Sequence, residues 1–235
     1  MGNFSLKSYI NSLWSLLYPD VCKKCGTDLF GNDEILCKKC AISLPRTFFE
    51  KSGNSHAAQL FWGKIAIQYV SPIFYYRKGE TLQKLIHLLK YKNRRDVGIF
   101  LGRLIGRILL HTTFEPPFDV IIPVPLHHKR LKIRGYNQCE ALAEGLSEVT
   151  NIPVAKNVLI REKYNVSQTR KNRFDRWTNV DGIFKLLNVN ALVNKHVLVI
   201  DDILTTGSTL EACCTPLTEA KGVKISIVTV GYTSV

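Results

Sequence analysis

Residues 197–209 read VLVIDDILTTGST, and this stretch decides the fold. Its four leading residues are aliphatic and mostly β-branched, a pattern typical of a short buried strand in a parallel sheet. Two acids, Asp201 and Asp202, follow directly. The segment then ends in a hydroxyl-rich turn composed of Thr205, Thr206, Gly207, Ser208 and Thr209. Because the amphipathic residues 210–221 come next, we expect this turn to open a helix.

The turn and the acids together predict a site for a phosphorylated sugar. Gly207 lets the backbone approach a ligand closely, and free N–H groups at a helix start favour a phosphate. Two adjacent acids repel each other unless cations or hydroxyl groups lie between them, so a sugar diol with Mg²⁺ nearby fits the pair. The alternative interpretation is an ordinary strand, turn and N-cap.

This segment resembles the signature for 5-phosphoribosyl 1-pyrophosphate (PRPP) of type I phosphoribosyltransferases. The resemblance implies that Asp201 and Asp202 hold the ribose hydroxyls and that residues 205–209 cradle the 5-phosphate. One position departs from the purine-base transferases, in which a third acid, three residues after the pair, often serves as general base. Thr205 occupies that position here, so proton abstraction from a nucleobase by this loop is not implied. The chain is closer to the amidotransferase and orotate branches in this respect.

Composition points towards acidic partners. The 235 residues carry a formal net charge of +13, which favours nucleic acid, phosphorylated metabolites or an anionic membrane surface. Simple solubility is the alternative explanation of the charge. Apolar residues make up 46% of the chain, enough for the core of one α/β domain with an appendage.

Four of the seven cysteines form two CxxC knuckles: Cys22, Cys25, Cys37 and Cys40. Two such pairs suit a tetrahedral structural Zn²⁺, since each pair holds two thiolates on one tight turn. Two redox pairs are the alternative, and they are disfavoured because no helix clearly starts at either pair. The other cysteines are expected to be buried thiols in helices, which indicates a reducing cytoplasm.

The chain is expected to have three parts. Residues 1–50 would form an N-terminal helix and zinc ribbon, 51–66 a connector rich in polar residues, and 67–235 the α/β domain. The apolar stripe in residues 4–18 is interrupted by polar residues and has no cleavage site, so we predict neither a signal peptide nor a membrane span. Such a stripe packs onto its own protein or lies on a membrane surface.

Further strands are predicted at 69–76, 118–122, 158–161, 182–186 and 222–231, and helices at 80–91, 96–110 and 141–151. This order of elements predicts a parallel sheet flanked by helices. Glycines 98, 102 and 106 recur every four residues in the second helix. They predict a smooth face for close packing.

Residues 123–138, PVPLHHKRLKIRGYNQ, follow a predicted strand and are crowded with cations and amides. We interpret them as a pyrophosphate loop in which Arg130 and Arg134, with Asn137, face the leaving group. The alternative is a solvated basic loop before a helix.

A second basic segment, residues 163–179, is polar and interleaves aromatic residues with arginines. It resembles the mobile loop that closes over PRPP in related enzymes, and we expect residues 161–176 to face the pyrophosphate. The same composition suits stacking on single-stranded bases. The residues predicted to contact PRPP or DNA are Arg170, Arg173, Arg176 and Trp177.

The order of these motifs resembles that of ComF-type competence proteins, which are similar to phosphoribosyltransferases with an N-terminal zinc ribbon. The resemblance rests on the CxxC pairs, the segment LKYK at 89–92, the loop at 123–138 and the PRPP signature. It implies a role in natural transformation, in the handling of single-stranded DNA. Three functions stay open: a DNA-uptake factor that binds PRPP, an active phosphoribosyltransferase with an unknown nucleophile, and a PRPP-sensing adaptor for other competence proteins.

Overall fold

The computed structural model describes residues 20–29, 35–51, 56–112, 117–162 and 182–233. The chain divides into two compact units, residues 1–45 and 46–235. The first unit contains helix α1 (Lys38–Ile42) and an antiparallel bridge between Val21 and Asp28. Among the helices in these described stretches, none has the length and apolar character needed to cross a membrane.

A four-stranded parallel sheet forms the centre of the second unit. Its strands are β1 (Val70–Tyr75), β2 (Val120–Pro123), β5 (His196–Leu204) and β6 (Lys224–Tyr232), in the order β1-β6-β5-β2. Strands β3 (Leu159–Arg161) and β4 (Phe184–Leu186) form a separate antiparallel pair. The central strands are buried almost throughout, as expected when helices cover a parallel sheet.

The helices of this unit are α2 (Thr81–Tyr91), α3 (Arg95–Leu109), α4 (His128–Arg134), α5 (Gln138–Thr150) and α6 (Ser208–Cys214). Short 3₁₀ helices span Phe49–Lys51, Ala58–Phe61, Val189–Leu192 and Thr215–Glu219. Helix α5 packs against β2 and β5, and α6 packs against β5. The predicted α/β fold, a parallel sheet flanked by helices, is therefore confirmed.

The glycine stripe of α3 permits an unusually close approach to α5. A Cβ atom on Gly102 would lie 2.1 Å from the carbonyl oxygen of Leu142. On the facing helix, a Cβ atom on Gly145 would lie 2.0 Å from the carbonyl oxygen of Ile99. Both distances are far shorter than a non-bonded carbon–oxygen contact can be. Neither position has room for a side chain, and the two helix backbones are in contact. The sequence prediction of a smooth packing face is confirmed.

Four local predictions need correction. The strand expected at 197–200 continues to Leu204, because β6 pairs with it along its whole length. The helix expected over 210–221 becomes a 3₁₀ helix at Thr215, where Pro216 has no N–H to donate. The segment 123–138, expected as a loop, contains α4. Within the expected connector, Ala57 and Phe61 are buried in the core.

Candidate functional site

The acid pair lies on β5, just beyond the point where the neighbouring strand β2 ends. Strand β2 ends at Pro123, which pairs with Ile200, and the backbone N–H of Val124 makes one last bond to the Ile200 carbonyl. On the other side, β6 continues to pair with β5 as far as Leu204. Asp201 and Asp202 therefore lie next to the carboxyl end of β2, at the edge where open α/β sheets bind ligands. They are only 8% and 5% exposed.

A cleft of about 320 Å³ opens beside this acid pair. Its lining includes residues predicted from the sequence: the two acids, Thr205 and Thr209 of the hydroxyl-rich turn, and Arg130 and Arg134 of the basic segment. The structure thus brings acids, hydroxyl groups and cations from distant parts of the sequence to one cavity. That composition suits a ligand that carries hydroxyl groups and phosphates. The other lining residues are Tyr76, Lys90, Tyr91, Val124, Pro125, Leu126, Gln138, Arg161, Ile203 and Thr233.

Asp201 is held by two hydrogen bonds. Its Oδ1 atom accepts from the backbone N–H of Asp202 at 2.8 Å and from the Cys139 thiol at 3.2 Å. Burial, and then the neighbouring Asp202 carboxylate, raise the pKa of Asp201 to about 7. The Asp201 carboxyl therefore changes its protonation close to neutral pH, and ligand hydroxyl groups or a divalent cation near it would relieve the repulsion when it is charged.

Lys90 is a site residue that the sequence reasoning missed. Its Nζ atom lies 2.9 Å from Oδ2 of Asp202. Burial by itself would lower the pKa of Lys90, but the attraction of the nearby acids, mainly Asp202, outweighs burial and the pKa is raised. The available signal was its position on α2, because Lys90 follows the buried Ile86 by four residues and so belongs to the same helical face. Its ammonium group neutralises one acid of the pair before a ligand arrives.

Arg161, at the end of β3, is the first residue of the basic segment 161–176 that we expected to face the pyrophosphate, and it lines the cleft. Its Nε atom is buried and has no hydrogen-bond partner in the described part of the chain. The guanidinium lies over the Phe184 ring, 5.3 Å from its centroid. Burial lowers the pKa of Arg161, and the nearby charge of Arg130 lowers it further. Two arginines placed this close favour an anion between them.

The turn that follows the acids has the geometry of a helix entry. Gly207 adopts a left-handed conformation with φ of 79°, and α6 begins at the next residue. The hydroxyl groups of Thr206 and Ser208 lie 3.1 Å apart. Thr206, Gly207 and Ser208 themselves do not line the cleft, although Thr205 and Thr209 on either side of them do.

Asn137 has another role in the described structure. Its Oδ1 atom caps α5 by accepting from the backbone N–H of Cys139 at 3.0 Å, and its Nδ2 group donates to the Val124 carbonyl at 3.1 Å. It lines a different cavity from the one that contains the acid pair. The predicted contacts from Arg170, Arg173, Arg176 and Trp177 fall outside the described residues.

The four cysteines of the first unit form one cluster. The sulfur atoms of Cys22, Cys25, Cys37 and Cys40 all lie within 4.8 Å of one another. The Thr27 hydroxyl is 3.3 Å from the sulfur of Cys25, and its hydrogen bonding lowers the pKa of that thiol to about 6. Helix α1 begins at the second pair, directly after Cys37, whereas the sequence indicated no clear helix start at either pair. Four converging sulfur donors nevertheless suit one tetrahedral metal ion.

Comparison with known proteins identifies relatives whose names refer to competence or to DNA utilization. The chain is 31% identical over 182 residues to Competence protein F of Haemophilus influenzae, a match that covers 74% of both proteins. It is 32% identical over 134 residues to DNA utilization protein YhgH of Escherichia coli K12, which covers 55% of this chain and 57% of that protein. No family model matches the sequence.

Among solved structures, the chain is similar to the glutamine PRPP amidotransferase of B. subtilis. The match has 22% identity, covers 60% of this chain and 30% of that one, and has a TM-score of 0.40. The assignment of a family does not depend on this weak likeness. It depends on the match to Competence protein F, which is long and covers most of both sequences. The chain therefore belongs to the ComF family of competence proteins.

Proposed function

We propose that the cleft beside Asp201 and Asp202 binds PRPP together with Mg²⁺. The observation that supports this most is that a buried acid pair and a group of cations line one cavity. PRPP needs both: hydroxyl groups that meet carboxylates and a pyrophosphate that meets arginines.

Each part of the cleft would hold a different part of the ligand. The two aspartates would accept hydrogen bonds from the ribose hydroxyls, and the turn at 205–209 would meet the 5-phosphate through Thr205 and Thr209, its two members that line the cleft. Arg130, Arg134 and Arg161 would contact the pyrophosphate. Asp201 and Asp202 are the residues that would hold Mg²⁺, which would supply positive charge to the site. Lys90 would then exchange part of its contact with Asp202 for the ligand.

Calorimetric titration with PRPP and Mg²⁺ tests this proposal. The double variant Asp201→Ala, Asp202→Ala should weaken binding by about 2–4 kcal/mol, because charge-assisted hydrogen bonds are lost. Glu219→Ala is a matched control, since it removes an exposed carboxylate elsewhere in this unit. Unchanged affinity in the double variant would refute the assignment of the diol site.

The protein's role is in handling incoming single-stranded DNA in the cytoplasm during natural transformation. The names of its relatives, a competence protein and a DNA utilization protein, support this role. The net charge of +13 supports it too, because cations hold the phosphates of a strand without reading its sequence. Residues 163–179 remain predicted contacts, with Arg170, Arg173 and Arg176 for phosphates and Trp177 for a stacked base.

Transformation frequency in cells that carry the double aspartate variant tests whether the PRPP site serves DNA uptake. We expect a loss of transformants with normal protein levels. A wild-type frequency, combined with lost PRPP binding in vitro, would separate the two roles. Titration of purified protein with a single-stranded oligonucleotide tests DNA binding directly, and its affinity should fall steeply as salt rises.

Catalysis is the second candidate. Arg161 and Arg130 lie close together in a cleft that also contains the acid pair, an arrangement that would stabilise a departing pyrophosphate. A nucleophile would attack the anomeric carbon as the bond to pyrophosphate breaks, and the protein would contribute positioning and charge. Pyrophosphate release, measured with a panel of nucleophiles, tests it. No release with any of them would leave binding as the function.

A further inference from the structure

Helix α4 (His128–Arg134) contributes no buried residue to the fold. It is fixed at its two ends instead. At its start, a ring nitrogen of the buried His127 accepts from the backbone N–H of Lys129 at 3.2 Å. At its end, Gly135 is left-handed, with φ of 82°, and the Tyr136 hydroxyl donates to the carbonyl of Leu89 on α2. The middle of α4 is therefore held in place beside the end of α2 without being used for core packing.

A groove of about 410 Å³ lies between these two helix ends. Its lining consists of Lys90, Tyr91, Asn93, Arg130, Ile133 and Arg134. Three of these six residues are cations, and no acid belongs to the described lining. The groove adjoins the proposed PRPP cleft, and Lys90, Tyr91, Arg130 and Arg134 line both cavities. It differs from the cleft in that the acid pair lines only the cleft.

Two large side chains of the groove face solvent. Tyr91 is 69% exposed and Ile133 is 85% exposed, so neither is explained by packing within the fold. The Tyr91 ring also lies 5.0 Å from the His87 ring, measured between centroids, one turn earlier on α2. These rings form a short aromatic platform at the edge of a cationic groove. An aromatic face beside arginines is the composition that holds unstacked bases and their phosphates.

We infer that this groove, which we call the Tyr91 groove, binds a segment of single-stranded DNA. One base stacks on the Tyr91 ring against Ile133, while Arg130 and Arg134 contact the flanking phosphates. The charge of the lining argues for a polyanion, and the exposed ring argues for a strand whose bases are unpaired, because bases in a duplex have no free face. This inference rests on the proposed role in DNA handling and gives it a location on described residues.

Fluorescence anisotropy with a labelled oligothymidylate, in the absence of PRPP and Mg²⁺, tests the inference. Tyr91→Ala should weaken binding about fivefold or more, whereas Tyr91→Phe, which keeps the ring, should bind like the wild type. Ile133→Ala should also weaken binding. Leu110→Ala is its matched control, since it removes an aliphatic side chain that is 60% exposed at the end of α3.

Photochemical cross-linking locates the contact independently of affinity. An oligonucleotide that carries 5-iodouracil should attach to the peptide that contains Tyr91 in the wild-type protein, and this adduct should be lost in Tyr91→Ala. If the wild type binds no single strand at low salt, the proposed role in DNA handling fails. If the wild type binds but Tyr91→Ala binds equally well and adducts lie elsewhere, only the Tyr91 groove is refuted.

Discussion

Asp201 shows how one residue combines a structural cost with a proposed binding role. Its carboxyl group is buried beside another acid and receives hydrogen bonds from a thiol and a backbone N–H. In its folded environment the pKa is about 7, well above the ordinary value of 3.8. Keeping a poorly solvated acid in the cleft therefore costs stability when the acid is charged, and a cationic or hydroxyl-bearing ligand would offset that cost.

This raised pKa predicts how stability changes with pH. Between pH 4 and pH 7 the folded protein keeps a proton that the unfolded chain releases, so this group stabilises the fold at low pH. Its contribution is lost as pH rises through 7. The free energy of unfolding of wild type minus that of Asp201→Asn should therefore fall by about 2 kcal/mol between pH 5 and pH 8.

Urea unfolding of both proteins, without PRPP or Mg²⁺, measures this difference. Subtracting the free energy of unfolding of the Asp201→Asn variant removes the effects of groups that titrate identically in the two proteins. Glu219→Ala, at an exposed position, should show no comparable trend when treated in the same way. A difference that is constant across this pH range would mean that Asp201 titrates normally.

At the scale of elements, the contact between α3 and α5 depends on the absence of side chains. In an exposed helix, replacing glycine by alanine raises stability by up to about 1 kcal/mol. At Gly102 the added methyl group would meet the Leu142 carbonyl at 2.1 Å, and backbone cannot move aside cheaply. We therefore expect Gly102→Ala to lower the free energy of unfolding by about 2–3 kcal/mol.

Chemical denaturation measures this change, and its sign is decisive. Arg107→Ala, at an exposed position of the same helix, is the control and should stay within about 0.5 kcal/mol of the wild type. A gain in stability for Gly102→Ala would show that the helices can separate without loss.

These elements also show what local sequence can and cannot reveal. The central strands were predictable because burial on both faces makes each a continuous apolar run, and helices α2, α3 and α5 because burial of one face gives their apolar residues a helical period. Helix α4 has no buried face, so its sequence carries no such period. Lys90 was missed for a related reason: a cation's place in a site depends on tertiary packing, here of α2 against the cleft. The acid pair was predictable because its whole motif is contiguous.

At the scale of the molecule, the main feature of the first unit is its cysteine cluster. We predict one Zn²⁺ per chain, bound by Cys22, Cys25, Cys37 and Cys40, because their sulfur atoms converge within 4.8 Å. A module this small has too little core to fold without such a bond. Cys25→Ser should therefore lose zinc and unfold the first unit while largely sparing the second, which has its own buried cluster.

Elemental analysis of the purified protein gives the zinc content, and proteolysis followed by mass spectrometry reports which unit is cut. Lys23→Ala is the control, since it changes an exposed residue between two ligands without removing a sulfur atom. Two disulfides and no metal in protein purified under reducing conditions would contradict the zinc assignment.

Within the second unit, the PRPP cleft and the Tyr91 groove are adjacent and use some of the same cations. Lys90, Arg130 and Arg134 line both cavities, so their charge is available to only one polyanion at a time. We predict that PRPP with Mg²⁺ antagonises DNA: the dissociation constant for oligothymidylate should rise about fivefold to tenfold at saturating PRPP. Anisotropy titrations at fixed ionic strength measure this change.

The direction of this coupling follows from charge and from linkage. A bound pyrophosphate neutralises the arginines that the strand would contact, so each ligand must lower the affinity for the other by the same factor. Ribose 5-phosphate, which has no pyrophosphate, should have little effect. In the Asp201→Ala, Asp202→Ala variant, which is expected to bind PRPP weakly, PRPP should no longer displace the strand, although DNA binding itself persists. If saturating PRPP left the wild-type affinity for DNA unchanged, the two ligands would have to bind through separate cations, and the shared lining would have no functional consequence.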